Sequence, residues 1–364
     1  MVPSTRAALL FLFLSSPTHC IAMSAKRKGK AGKGYDCESD DISKMIMFGD
    51  SLVDVGMLNN PAFGVCQLAD KLCINVTAAL DSPIASGGTG NNFAVSGAKS
   101  TSAGGGNVFE AQVTGDDFGY LTFLAAAQNT TTPVVPPETL VFIWFGGNDV
   151  GDALAALATS EDAAGAVITA AIAAIRRSIV SLIDASACNF LVLGTFNVAL
   201  APYVRLTAQD VGTGLSLNVT EVVGAVEQLS LSFNTQLEAM LQGINITDSE
   251  GCYGIKYVDT IPLLEDVILS DKFESKFGVY DPNSNVTDLV CNFRYYDNVT
   301  DSQLDPNNLL PVLSEDEIDF DCENFPFYDE IHPSTDFFEL FADSFLDEVE
   351  DFVKGETRFL RRGL

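Results

Sequence analysis

Four short apolar segments, each bounded by turn-forming residues, constrain the fold of this chain more than any other feature. They are residues 45–48 (MIMF), 139–145 (TLVFIWF), 189–195 (NFLVLGT) and 255–258 (IKYV). Runs of this length and composition are typical of strands buried in a parallel sheet. Segments with helical spacing of apolar residues lie between and after them, at 161–185, 219–241 and 337–353. This alternation predicts an α/β sandwich built on a parallel sheet.

The size and charge of the chain narrow the class of protein. With 364 residues and 47% hydrophobic composition, the chain is long enough to bury a large core. We expect one domain over residues 41–354, because no linker interrupts the alternation of strands and helices. The chain has 49 acidic and 20 basic residues, a formal net charge of −29. This excess of acid disfavours nucleic-acid binding, which needs Lys and Arg at phosphates. The net negative charge favours a protein that is soluble outside the cell, and binding to a cationic partner is the alternative.

The N-terminus has the organisation of a secretory signal, predicted over residues 1–22. Arg6 supplies a positive charge, residues 7–15 are largely apolar, and Cys20 and Ala22 place small residues before a cleavage site. The apolar stretch is too short to span a bilayer, although a signal anchor is the alternative. We therefore predict a secreted, extracellular protein.

Basic and apolar segments elsewhere raise two further questions. Residues 23–40 form a basic, Gly-rich arm, which is either a flexible solvated segment, a ligand of a polyanionic matrix or a cleaved propeptide. A short tail follows at 355–364. No integral membrane span is expected in the mature chain, because Arg176 and Arg177 end the apolar run at 163–175.

Glycosylation sequons and cysteines agree with export. N-linked glycans are predicted at six sequons: Asn75, Asn129, Asn218, Asn245, Asn285 and Asn298. The chain has eight cysteines, of which Cys20 would leave with the signal. We expect disulfides between Cys66 and Cys73 and between Cys252 and Cys291. Cys188 begins an apolar run and is expected to be an unpaired, buried thiol, although spacing alone does not define connectivity.

Three polar clusters follow or neighbour the predicted strands, where ligands of open parallel sheets bind. Ser51 lies in a Gly-Asp-Ser turn, Asn148 lies in a Gly-Gly-Asn-Asp turn, and His332 follows Asp329 by three residues. Each alone is compatible with an ordinary turn or surface residue. Because the only other histidine, His19, lies in the predicted signal, His332 is the one candidate for a histidine base in the mature chain.

Taken together, these clusters resemble the GDSL (SGNH) hydrolase superfamily, and its secreted plant and fungal branches in particular. Four blocks occur in the family's order: FGDSLVDVG at 48–56, NFAVSGA at 92–98, FGGND at 145–149 and YDEIHPS at 328–334. Similarity extends to EAQV at 110–113 and FNTQL at 233–237. The resemblance implies a three-layer α/β/α sandwich with a mostly parallel five-stranded, flavodoxin-like sheet.

The resemblance also implies roles for individual residues. Ser51 matches the nucleophile, His332 the general base and Asp329 its orienting acid. The backbone N–H groups of Ser51 and Gly97 and the side-chain amide of Asn148 match the oxyanion hole. Such a mechanism requires no metal or organic cofactor. The chain lacks a Gly-x-Ser-x-Gly elbow around the serine, which distinguishes it from ordinary α/β-hydrolases.

Several functions are compatible with this pattern. The first is a secreted serine hydrolase of lipid or other acyl esters, and the second is a carbohydrate O-acetylesterase acting on wall polysaccharide. The third is a non-catalytic glycoprotein on the same scaffold. The acidic segment 315–323 is predicted to be a solvated loop, and calcium binding is the alternative. The segment lacks the spacing of an EF-hand loop, which disfavours calcium binding. For the two hydrolase functions, the expected partner is a small-molecule or polysaccharide ester substrate.

Overall fold

The structure is a computed structural model, in which a defined part of the chain is described. The described residues are 42–54, 69, 74, 76–79, 90–95, 97–101, 109–116, 119–205, 208, 218–246, 251–280, 289–291, 322, 325–327 and 331–353. The predicted signal, basic arm and C-terminal tail lie outside these residues, as does the acidic segment apart from Cys322.

Strands and helices alternate along the described chain. The strands are β1 (Lys44–Gly49), β2 (Thr139–Trp144), β3 (Asn189–Leu193) and β4 (Gly254–Val258). The helices are α1 (Phe109–Thr114), α2 (Tyr120–Gln128), α3 (Gly147–Leu157), α4 (Glu161–Asp184), α5 (Val219–Gln242), α6 (Thr260–Ile268), α7 (Asp271–Phe277) and α8 (Thr335–Val353). All four predicted strands and all three predicted long helices are confirmed, with ends that move by up to two residues.

The sheet is parallel throughout, in the order β1-β2-β3-β4. We expected five strands, and the described residues contain four regular ones. The fifth position is taken by an extended segment at 91–95, which hydrogen-bonds to the free side of β1. Met47 N–H donates to the Asn91 carbonyl at 2.8 Å, and Val95 N–H donates to the Gly49 carbonyl at 3.1 Å. Residues 91–95 therefore extend the sheet by one short, parallel segment.

Helices cover the sheet in two groups, which confirms the α/β/α arrangement. Helices α1, α3, α4 and α5 pack against one another, while α8 packs on α6 and α7. Side chains that accept from the first N–H groups start the long helices. Ser160 caps α4, and Asn218 forms a reciprocal capping box with Glu221 at the start of α5.

Helix α4 is the one described helix that is long and apolar enough to cross a membrane by length and composition. Within its most apolar window, 44% of the residues are buried inside the protein. The buried side chains lie on the face turned toward α1, α3 and α5. Helix α4 therefore packs one of its faces into the protein core.

The disulfides differ from our expectations. Cys188 pairs with Cys252, and Cys291 pairs with Cys322. The predictions of a Cys252–Cys291 bond and of a free Cys188 are therefore wrong. Cys188 directly precedes β3 and Cys252 lies two residues before β4, and the parallel pairing of these strands brings the two Cα atoms to 5.2 Å. Cys66 and Cys73 lie outside the described residues.

A buried glutamine closes the end of β1. Gln112, on α1, accepts from Gly49 N–H at 3.1 Å and donates to the Gly49 carbonyl at 2.8 Å. Gly49 itself is tightly enclosed, because a Cβ added there would clash with Val53 Cγ2 and lie 2.8 Å from the Trp144 carbonyl oxygen. The amide of Gln112 thus takes the place of a neighbouring strand where the 91–95 segment leaves β1.

Replacing Gln112 by Met should lower the free energy of unfolding by about 2–3 kcal/mol, because the buried Gly49 N–H loses its partner. The chain offers a matched control. Gln128 makes the same two bonds to the backbone of Val134, at 2.7 and 2.9 Å, but at the surface. Gln128→Met should cost less than about 1 kcal/mol, since water replaces the amide. Urea unfolding followed by circular dichroism measures both, and equal costs would contradict the role assigned to Gln112.

Candidate active site

The candidate site forms where three neighbouring extended segments end at the same edge of the sheet. Ser51 follows β1, Gly97 follows the segment 91–95, and Asn148 lies at the start of α3 directly after β2. Because parallel strands run in one direction, their carboxyl ends bring these loops together. Residues that are distant in sequence therefore share one rim of the sheet.

Ser51 and His332 are in direct contact. The Ser51 hydroxyl lies 2.8 Å from His332 Nε2, although the two residues are 281 positions apart. His332 is buried, with 7% of the residue's surface exposed. A hydroxyl at this distance from a buried imidazole can pass its proton to the ring as it attacks an electrophile.

His332 arrives from the other end of the chain, just before α8. Ser334 starts that helix: its hydroxyl accepts from Phe337 N–H at 3.3 Å. The helix then packs against the end of β2, where Phe341 stacks on Trp144 with ring centroids 5.6 Å apart. The histidine loop is thus attached to the sheet through aromatic contacts of α8.

Gly97 and Asn148 lie beside the serine turn. Gly97 has φ of +73°, in a turn closed by Ala98 N–H donating to the Val95 carbonyl at 2.9 Å. Glycine adopts this left-handed conformation without steric cost. Asn148 Nδ2 donates to the Ala98 carbonyl at 3.0 Å and lies 3.5 Å from Asp50 Oδ2. The amide therefore contacts the residues that adjoin Gly97 and Ser51.

Two backbone N–H groups at this edge of the sheet have no acceptor among the described residues. Within the part of the chain that the structure describes, the N–H groups of Ser51 and Gly97 donate no hydrogen bond to another residue. Together with the Asn148 amide, they form a set of donors around the serine. Donors in such a set stabilise negative charge that develops on a bound oxygen.

Asp50 organises the turn that carries the serine. Its carboxylate accepts from Leu52 N–H at 3.0 Å, and its carbonyl accepts from Val53 and Asp54 N–H at 3.1 and 3.0 Å. Burial raises the pKa of the Asp50 carboxyl from 3.8 to about 7, against the lowering effects of Leu52 N–H and the nearby His332. A carboxyl that is hard to ionise therefore lies next to the serine.

Asp149 ties the loop after Gly97 to α3. Its carboxylate accepts from Ser100 N–H at 3.0 Å and from the Ser100 hydroxyl at 2.9 Å. Burial is the largest influence on the Asp149 carboxyl and raises its pKa to about 6. Sequence reasoning did not assign roles to Asp50, Asp149 or Gln112. All three lie inside the blocks quoted for the family resemblance, which is the signal that could have singled them out.

Asp329 lies outside the described residues, so its geometry stays a prediction. Of the other residues that the sequence predicted, the structure brings together Ser51, His332, Gly97 and Asn148. No three His, Cys, Asp or Glu side chains among the described residues come together in a way that could hold a metal ion.

A hydroxyl paired with a buried imidazole, beside donors for an oxyanion at the carboxyl edge of a parallel sheet, is the arrangement of serine-dependent hydrolases. Comparison with known families narrows this class. The model of the GDSL-like lipase/acylhydrolase family matches residues 45–345, and the chain belongs to that family. It is a hydrolase that acts on ester bonds, which leaves the non-catalytic alternative without support. A search of curated proteins finds no match to the chain.

The raised pKa of Asp50 predicts a dependence of stability on pH. The folded state holds the Asp50 proton up to about pH 7, whereas the unfolded state releases it near 3.8. Between these values the folded state binds more protons, so ionisation of this group lowers stability as pH rises. Its share of the slope reaches about 1.4 kcal/mol per pH unit. Asp50→Asn should remove that share.

Urea unfolding of the wild type and Asp50→Asn at pH 4.5, 5.5, 6.5 and 7.5 measures this difference. The variant should gain stability relative to wild type as pH rises through this window. Asp149→Asn should shift stability in the same direction, since burial also raises the Asp149 pKa. Asp266→Asn, at an exposed position on α6, is the matched control and should run parallel to wild type. Parallel curves for Asp50→Asn and wild type would contradict the assignment.

Proposed function

We propose that this chain is a secreted hydrolase of carboxylic esters that works through a covalent acyl-enzyme on Ser51. The observation that carries the proposal is the 2.8 Å contact between the Ser51 hydroxyl and His332 Nε2. This contact supplies a nucleophile and a proton acceptor in reach of each other. The substrates proposed are esters of lipids or other acyl groups.

The reaction follows from the chemistry of this pair. The Ser51 hydroxyl attacks the ester carbonyl carbon, and His332 accepts the proton. The tetrahedral intermediate collapses as His332 returns the proton to the departing alcohol, which leaves an acyl group on Ser51. Water then repeats the steps and releases the acid. Asp329, three residues before His332, is proposed to accept from the imidazole Nδ1–H and orient the ring.

The proposed oxyanion hole consists of three donors: Ser51 N–H, Gly97 N–H and the Asn148 amide. The two backbone groups donate no hydrogen bond among the described residues, which supports their use by substrate. The Asn148 amide is oriented by donating one of its hydrogens to the Ala98 carbonyl at 3.0 Å. Asn148 Nδ2 lies 3.5 Å from Asp50 Oδ2. Its second hydrogen can be donated to the oxyanion instead of to Asp50. Such donors act on charge that exists only in the transition state.

Secretion and glycosylation are part of the proposal. The N-terminal sequence supports export, and the two described disulfides are typical of an oxidising compartment. Asn129, Asn218 and Asn245 are exposed and can accept glycans. Asn218 uses Oδ1 for its capping bond to Glu221, and no described hydrogen bond engages the Nδ2 atom that would carry the sugar. The sequons at Asn75, Asn285 and Asn298 lie outside the described residues.

Asn148→Ala should lower kcat by about 10²–10³ with little change in KM, because the lost donor acts on the transition state. Asn189→Ala is the matched control. Asn189 is buried and, like Asn148, donates from its amide to backbone carbonyls, at 2.6 and 3.1 Å, but at the opposite end of the sheet. This control should lose stability and keep its kcat. An unchanged kcat in Asn148→Ala would remove Asn148 from the oxyanion hole.

Hydrolysis of p-nitrophenyl acetate, butyrate and palmitate tests the main proposal. The wild type should cleave these esters, and Ser51→Ala should lose more than about 10³-fold in kcat, because the nucleophile is gone. Ser181→Ala, whose hydroxyl only donates to the Arg177 carbonyl within α4, is the matched control and should keep full activity.

The chain-length profile separates the substrate classes. Activity on butyrate or palmitate supports the lipid or acyl-ester reading. Acetate release from acetylated xylan, without cleavage of the longer esters, would favour the carbohydrate O-acetylesterase instead. Ester hydrolysis that survives in Ser51→Ala would overturn the assignment of the nucleophile.

A further inference from the structure

A short ladder of three segments lies next to His332, apart from the main sheet. Val290 pairs in parallel with Phe327, and Phe327 pairs antiparallel with Pro333. We name it the histidine ladder, and it comprises residues 289–291, 325–327 and 332–334. The side chains of Val290, Phe327 and His332 are buried. The ladder therefore forms a small packed unit with the histidine on its outer segment.

Hydrogen bonds hold the three segments in register. Phe327 N–H donates to the Leu289 carbonyl at 3.1 Å, and Cys291 N–H donates to the Phe327 carbonyl at 3.0 Å. On the other side, Ser334 N–H donates to the Pro326 carbonyl at 2.9 Å. The middle segment thus connects residues 289–291 to the histidine segment through hydrogen bonds on both of its sides.

A disulfide closes this ladder. Cys291, on the first segment, is bonded to Cys322, and Phe325 N–H donates to the Cys322 carbonyl at 3.1 Å. Cys322 is 4% exposed and has a φ of +34°, a left-handed conformation that is costly for a residue with a side chain. Such conformations persist where the surrounding structure fixes them. The bond therefore anchors the middle segment immediately before it pairs with the histidine segment.

The two halves of the site differ in what supports them. Ser51, Gly97 and Asn148 follow segments of the main sheet, whereas His332 lies on the ladder. Among the described residues, the Cys291–Cys322 bond is the disulfide that joins the first segment of the ladder to the chain just before its middle segment. Removing this bond therefore takes a support from the ladder and none from the main sheet.

We propose that the Cys291–Cys322 disulfide is a positioning element that holds His332 at hydrogen-bond distance from Ser51. The inference rests on the proposed function of this pair. Positioning within a fraction of an ångström matters, because a displacement of about 1 Å in a catalytic group can cost about 10²-fold in rate. The disulfide acts on the reaction through the backbone of the ladder and does not touch the substrate.

The second disulfide provides a matched control. Cys188–Cys252 joins the starts of β3 and β4, at the sheet edge opposite the site. It closes a sequence separation of 64 residues, against 31 for Cys291–Cys322. Removing the longer link gives the unfolded chain more freedom and should lower stability more. Effects on stability and on catalysis should therefore rank in opposite orders.

The experiment compares the double variants Cys291→Ser/Cys322→Ser and Cys188→Ser/Cys252→Ser in the full chain. The first should lose at least about tenfold in kcat on p-nitrophenyl butyrate, with KM within about twofold of wild type. The second should keep its kcat within about twofold and show the larger fall in Tm. Losses of kcat that follow the losses of Tm in both variants would overturn the proposal.

A readout without substrate separates this proposal from the proposed function. The chain has two histidines, so selective ¹⁵N-histidine labelling gives a simple spectrum, in which His332→Gln identifies the His332 ring signals. In Cys291→Ser/Cys322→Ser these signals should move toward those of a free histidine, and in the control they should not. Unchanged His332 signals would overturn the positioning role even if the wild type hydrolysed no ester tested.

If the first double variant does not fold, stepwise opening of the native protein answers the question. Tris(2-carboxyethyl)phosphine reduces the disulfides, alkylation traps the thiols, and peptide mass spectrometry reports which bond has opened. Activity should fall in step with the opening of Cys291–Cys322. Activity that persists after this bond has opened, in protein that retains its circular dichroism, would overturn the proposal.

Discussion

The site depends on the hydrogen bonding of β1 at its carboxyl end. β1 is paired with β2 on one side and with residues 91–95 on the other, and Gln112 satisfies the remaining groups of Gly49. This closure lets the chain turn within one residue into the segment that carries Ser51. A looser end would leave buried polar groups without partners and the serine without a fixed direction.

The second half of the site is assembled from a distant part of the chain. His332 reaches Ser51 across 281 positions through a ladder that the main sheet does not include. Bringing such distant segments together costs chain entropy, which must be offset by packing and cross-links. Aromatic packing of α8 against Trp144 and the Cys291–Cys322 bond supply that support on two sides of the histidine. The contact between His332 and Ser51 therefore depends on interactions outside the sheet.

Much of the fold could be predicted because its signals are local. The strands at 45–48 and 139–145 are continuous apolar runs, and α5 begins at a capping box that can be found by spacing. The disulfides could not be predicted, since the pairing of Cys188 with Cys252 depends on which strands become neighbours. The raised pKa of Asp50 likewise comes from burial by residues far along the chain. Neither the disulfide pairing nor the raised pKa can be predicted from a short segment of sequence.

The sequence by itself determined the alternation of strands and helices and the polar turns that follow the strands, and it left His332 as the one histidine outside the predicted signal. Local residue types and spacing are sufficient for these features. Only the tertiary structure decided that Ser51 and His332 meet at 2.8 Å, and that Asn148 contacts the carbonyl of Ala98 beside them. Those distances depend on strand order, register and the path of the chain back to the sheet, which no local pattern specifies.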